Sequence, residues 1–100
     1  MTLVSRTIFI DQATDQVLAA LAAGSGLAKA DVFRSRLNAG IKRVRKGLMR
    51  PMLSASALHL VLKTVYIDAK TNDGLRMEAF DRHVLADDVL REYLQAGLKP

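Results

Sequence analysis

The chain states one pattern twice. Thr7-Ile8-Phe9-Ile10-Asp11 returns 57 residues later as Thr64-Val65-Tyr66-Ile67-Asp68. Asp31-Val32-Phe33-Arg34 and Leu37-Asn38-Ala39-Gly40-Ile41-Lys42 return at the same offset as Asp88-Val89-Leu90-Arg91 and Leu94-Gln95-Ala96-Gly97-Leu98-Lys99. No gap separates the matches. One small unit, a strand followed by two helices, is therefore present twice in one polypeptide.

A unit of this size cannot bury enough apolar surface to be stable alone, and 100 residues cannot hold two independent domains. A lone strand would also leave an unpaired edge. Both problems are solved if strand 7–10 pairs antiparallel with strand 64–67 about an internal, approximate two-fold axis while four helices interlock beneath. The expected organisation is one pseudodimeric domain over 1–100, with repeat one at 4–46, a connecting segment at 47–60 and repeat two at 61–99.

Local signals fill in each copy. In the first, Asp11 or Thr14 can cap a helix bearing the stripe Val17, Leu18, Leu21 and Ala22, which Gly24-Ser25-Gly26 ends. A second helix from about Ala28 to Lys46 places Val32, Phe33, Leu37, Ile41 and Val44 on one side, and Gly40 within it marks a close helix–helix approach. In the second copy, Asn72 or Thr71 can cap a helix carrying Leu75, Ala79 and Phe80, and His83 stands where the first copy has Gly26. Val89, Leu90, Leu94 and Leu98 repeat the final helix. In the connection, Ser54 can cap a short apolar helix over Ala55–Val61, or that stretch can run extended along the core.

Charge divides the copies where pattern unites them. Residues 1–57 hold nine Lys or Arg against three Asp, whereas residues 58–100 hold six basic against seven acidic side chains. Arg34, Arg36, Lys42, Arg43, Arg45, Lys46 and Arg50 follow one another with no acid between them. Such a field favours a polyanion, although it can also solubilise an exposed helix.

Period two in the ribbon puts Ile8, Ile10, Val65 and Ile67 inward and Thr7, Phe9, Thr64 and Tyr66 outward. Phe9 and Tyr66 then pack under the connecting segment, lie on a strand buried on both faces, or meet a partner. A two-stranded ribbon fits the DNA major groove, where hydroxyls reach base edges and aromatic or methyl carbon touches the thymine methyl.

Strand 7–10, the helix near 12–23, the turn at Gly24–Gly26 and the helix carrying Asp31-Val32-Phe33-Arg34 resemble a ribbon-helix-helix DNA-binding protein. The likeness extends to the second copy and is greatest to tandem single-chain members that assist plasmid conjugation and T-DNA transfer, such as TraY-like relaxosome accessory proteins. This resemblance implies double-stranded DNA as partner, with relaxase or other transfer proteins as further partners and further association of chains on DNA. It implies base reading by Thr7, Phe9, Thr64 and Tyr66, with Ser5 extending the set or touching phosphate. It also implies phosphate binding by backbone N–H groups at the second helix of each unit, near Ala28, Lys29 and Ala30 and near Leu85–Asp87. Arg6 and Lys63 at the strand starts can reach flanking phosphates. Arg34 can do so, serve a structural ion pair or pack its stem, as its counterpart Arg91 can. Lys42, Arg43, Arg45 and Lys46 can touch DNA beyond the ribbon, a helix C-terminus or a protein.

The chain departs from the family pattern at three places. Phe9 and Tyr66 replace polar readers, Ala28 and Leu85 lack a hydroxyl, and Asp87-Asp88 put negative charge at the second phosphate site. An asymmetric binder is expected, with more backbone contacts from the first half. A transcriptional repressor or an antitoxin-like interaction module of the same fold is the alternative.

Catalysis has little support. Without cysteine there is no thiol chemistry or cysteine-zinc site, and His59 and His83 lack metal-ligand spacing. No enzyme, cofactor or metal is expected. No apolar run approaches the roughly 20 residues of a membrane span, and no secretory h-region is seen, so a cytoplasmic protein is expected.

Overall fold

The computed structural model describes residues 2–47 and 60–98. Its elements run β1 (Leu3–Asp11), α1 (Gln12–Ser25), α2 (Lys29–Arg45), β2 (Leu60–Asp68), α3 (Ala69–Arg82) and α4 (Ala86–Leu98). The strands form a two-stranded antiparallel ribbon in which Thr7 pairs with Thr64, its own counterpart at the repeat offset. That register places a pseudo-two-fold axis between the two threonines, whose hydroxyl oxygens lie 3.5 Å apart. This is a tandem, pseudodimeric ribbon-helix-helix arrangement. Both strands are longer than the predicted cores at 7–10 and 64–67, because ladder pairing continues from Leu3↔Asp68 to Asp11↔Leu60.

Alternation works as period two requires. Ile8, Ile10, Val65 and Ile67 are buried on the inner face, against Leu18, Val32, Phe33, Leu37, Leu75, Val89, Leu90 and Leu94 from the helices. Both strands repeat one burial pattern residue for residue. Most of the predicted stripe residues join or flank the core. Two do not: Val17 is 45% exposed and Phe80 is 80% exposed.

The helices lock at one crossing. A Cβ built on Gly40 in α2 would lie 1.7 Å from the Tyr93 carbonyl oxygen, and one on Gly97 in α4 would lie 1.7 Å from that of Arg36. Arg36 and Tyr93 are themselves repeat counterparts, so the crossing obeys the same pseudo-two-fold as the ribbon. The close approach expected at Gly40 is thus a symmetric contact made by both copies.

Helix ends differ in part from expectation. Asp11 is the N-cap of α1, but its carboxylate makes no capping bond. Asp68, not Thr71 or Asn72, caps α3, accepting from the Lys70 backbone N–H at 3.0 Å. Thr14 is buried and accepts from Gln95 Nε2 at 2.7 Å, tying α1 to α4. A threonine hydroxyl close to a helix start suits capping, yet here a tertiary donor claims it. Leu60 and Val61 belong to β2, so no helix extends to Val61. Ser54, the remainder of the proposed 55–61 helix and His59 lie outside the described residues.

Gly26 ends α1 at φ 71°, and His83 ends α3 at φ 57°. The turn is therefore the same in both copies, although His83 carries a Cβ into the left-handed region, which costs about 1–2 kcal/mol. His83→Gly, which restores the first copy's residue, is expected to stabilise the fold by about 1 kcal/mol. Thermal unfolding should then shift up by several degrees; an unchanged or lowered midpoint would contradict the strain.

Repeat two carries a polar network absent from its partner. Arg82 donates bidentately to the buried Glu92, at 2.8 and 2.9 Å, and to Glu78 at 3.0 Å. Tyr93 Oη donates to the other Glu78 oxygen at 2.5 Å. Burial, reinforced by the Glu78 carboxylate, pushes the Tyr93 hydroxyl up to about 12. The counterparts of Arg82, Glu92 and Glu78 are Ser25, Ser35 and Leu21, which cannot form such a network.

Candidate nucleic-acid interface

The ribbon's outer face is a ladder of three exposed pairs. Thr7 and Thr64 form the centre; Ser5 faces Tyr66 at one end and Phe9 faces Leu62 at the other. Phe9 is 47% exposed, Tyr66 49% and Leu62 56%. Both aromatics are thus half-exposed on the outer face, while the connecting segment proposed to cover them lies outside the described residues. Leu62 was missing from the predicted set, although the repeat offset carries Ser5 directly onto it.

The internal symmetry makes the ends chemically unlike. The axis exchanges Phe9 with Tyr66 and Leu62 with Ser5. One corner is aromatic and aliphatic, while the other carries two hydroxyls. Leu3 and Leu60 extend the exposed face beyond these pairs.

Two arginines hold the ribbon from its open edges. Arg34 on α2 donates to the Tyr66 carbonyl at 3.2 Å, and Arg91 on α4 donates to the Phe9 carbonyl at 3.0 Å. Each also pairs with the aspartate one helical turn before it, Asp31 or Asp88. Every clamp thus crosses between repeats and satisfies an edge carbonyl. Arg34 thus makes a structural ion pair, and the two clamps together fix the backbone of Phe9 and Tyr66.

The helix starts flanking the ribbon form two unequal corners. At the first, Asp15 on α1 meets Lys29, the opening residue of α2, and Lys63 on β2, the latter at 3.5 Å. Burial opposes ionisation of Asp15, but the two ammonium groups outweigh it and hold the carboxyl below its usual range. With Ala30 and Tyr66 these groups line a pocket of about 160 Å³. The N–H groups of Lys29 and Ala30 lie in the first turn of α2, where no helical acceptor exists for them. Two cations against one carboxylate leave this corner positive.

At the second corner Arg6, the counterpart of Lys63, donates to Asn72 at 3.0 Å and pairs with Asp87 at 2.6 Å. Asn72 replaces Asp15, Ala86 replaces Lys29 and Asp87 replaces Ala30. Here one cation faces one carboxylate, so the start of α4 carries its own anion. Arg6 points to the inner side of β1, and its side chain is only 18% exposed.

The remaining basic residues sit at the far end of α2. Lys42, Arg45 and Lys46 are exposed, whereas Arg43 donates to the Ala96 carbonyl at 2.9 Å. Lys42 and Arg45 line a groove against α3 that contains no ribbon residue. Among the described residues no group of His, Asp or Glu could hold a metal ion, and no helix is long and apolar enough to cross a membrane. No protein-family model, curated protein or solved structure matches the chain.

Proposed function

We propose that the protein binds double-stranded DNA with sequence preference by laying its ribbon in the major groove. The observation that carries this reading is the exposed outer ladder, with hydroxyls at its centre and aromatics on a backbone clamped from both edges. Hydroxyls can exchange hydrogen bonds with base edges, and Phe9 and Leu62 offer carbon to a thymine methyl. The corner formed by Lys29, Lys63 and the first turn of α2 suits a phosphate. Its counterpart at α4 is neutralised from within by Arg6 and Asp87. Backbone contacts therefore come mainly from the corner at the start of α2, and the protein acquires a direction on the duplex.

Direction supports a role as accessory factor in conjugative or T-DNA transfer, with a relaxase or other transfer protein as a further partner. Such a process starts from one side of its site, and an oriented protein can mark that side. A repressor acting on a symmetric operator would gain nothing from unlike corners.

Fluorescence anisotropy of duplex binding at several salt concentrations tests DNA binding. The logarithm of affinity should fall linearly with that of salt, with a slope near −0.9 for each phosphate neutralised. Lys29→Ala should reduce the slope by about one, and Asp87→Ala should increase it. No duplex binding at low salt would reject the reading; equal slopes in both variants would reject the asymmetry.

A further inference from the structure

We propose that the groove between α2 and α3 is a second docking site, for an acidic peptide segment of a protein partner. The groove has a volume of about 350 Å³. Ile41 and Leu75, both core residues, supply its apolar lining, and Lys42, Arg45 and Lys70 supply its charge. Among the described residues none of these three cations has a carboxylate partner within ion-pairing distance, in contrast to Arg6, Lys29, Arg34, Lys63, Arg82 and Arg91. Most cations elsewhere in the pseudodimer are satisfied internally. These three remain available together at one place.

The groove is not a by-product of the fold, since the internal two-fold supplies a control. At the symmetry-related position Val17 replaces Gly74 and Ala13 replaces Lys70. Gln95, the counterpart of Asn38, is engaged with Thr14. The symmetry-related position thus carries a valine side chain where the groove has a glycine, and an alanine where it has Lys70.

A peptide suits the groove better than a duplex. Carboxylates can meet the three cations while aliphatic side chains contact Ile41 and Leu75; a phosphate backbone has no group for the apolar lining. No ribbon residue lines the groove, and the ribbon's inner face is covered by the helices. The site can therefore be occupied while the ribbon is engaged, which would let one chain hold DNA and a partner together.

Anisotropy of a labelled Glu- and Leu-rich peptide on the full chain tests the site, with a Gln- and Leu-rich peptide as control. The acidic peptide should bind at low ionic strength and the neutral one should not. K42E/R45E/K70E should weaken binding at least about tenfold, because rim charges govern encounter and selectivity. Gly74→Val provides a second test that leaves charge unchanged. Among the described residues a Cβ there meets only the Arg45 guanidinium, at 3.9 Å, so the helix can accept the side chain while the groove narrows. It too should weaken the peptide. An absence of acidic-peptide binding, or wild-type affinity in both variants, would overturn the site. Displacement of the peptide by unlabelled duplex would overturn it in favour of a nucleic-acid groove. Duplex binding is measured separately, so failure of the ribbon reading would not be mistaken for failure of this one.

Discussion

Gly40→Ala is expected to destabilise the protein by at least about 3 kcal/mol, and Gly97→Ala by a similar amount. Each added methyl would lie 1.7 Å from a backbone carbonyl oxygen of the facing helix. A flexible side chain could turn aside, but a carbonyl held in a helix moves only with its helix. Relief therefore requires α2 and α4 to separate, loosening the layer formed by Leu37, Ile41, Leu90 and Leu94. Intrinsic propensity acts in the opposite direction, since alanine is favoured over glycine by about 1 kcal/mol in a helix interior. Sterics should win because the overlap exceeds an ångström. Gly74→Ala separates the two effects: its Cβ makes only ordinary contact, so the same substitution should stabilise the fold by up to about 1 kcal/mol. Chemical denaturation of the three variants would decide the matter. A Gly40→Ala protein as stable as its parent would mean that the crossing is not this close.

The double variant Gly40→Ala/Gly97→Ala should fail to fold cooperatively. A domain of this size has a total stability of only about 5–15 kcal/mol, and two such losses consume most of it. The two sites touch the same pair of helices, so simple additivity is not expected. The dependence follows from the duplication: a repeat too small to fold alone must be held by its copy, and the glycine crossing and the ribbon are where the copies meet.

Much of this was legible in the sequence because the repeat supplies its own alignment. The common offset located both strands, both long helices and the inward face, and the antiparallel pairing of equivalent strands then followed from the need to cover an edge. Gly40 was legible as a close contact, though its partner's identity depended on seeing Gly97 at the same offset. Features decided by long-range partners were not legible. Thr14 reads as a cap from its neighbours, yet Gln95, far along the chain, claims its hydroxyl. Phe80 reads as a core residue by spacing; instead the Arg82, Glu78 and Glu92 network occupies the face between α3 and α4. The ion pair of Arg6 with Asp87 joins opposite ends of the chain, so no local pattern discloses that the second helix start is already neutralised. Leu62 is a different case. It lay within reach of the repeat arithmetic, but the reading set was confined to the repeated motif at 64–68, and Leu62 lies two residues before it.

Replacing both aromatics, Phe9→Ala with Tyr66→Ala, is expected to lower affinity for the preferred duplex about a hundredfold and to leave affinity for random duplex nearly unchanged. Each reader that distinguishes a base is worth about 1–3 kcal/mol, and phosphate contacts supply the sequence-independent remainder. Neither side chain belongs to the core, so the fold should lose little and the loss should be read in discrimination. The single variants should differ in kind. Phe9→Ala removes carbon beside Leu62, so it should relax preference at a thymine-bearing position. Tyr66→Phe removes only a hydroxyl beside Ser5, so it should relax preference at the opposite end of the site. Selection of binding sequences with each variant would reveal which half changes. If both variants altered the same half, or if preferred and random duplex fell together, the ribbon would not be reading bases. If the halves change separately, the unlike corners are what give this internally symmetric scaffold an oriented target.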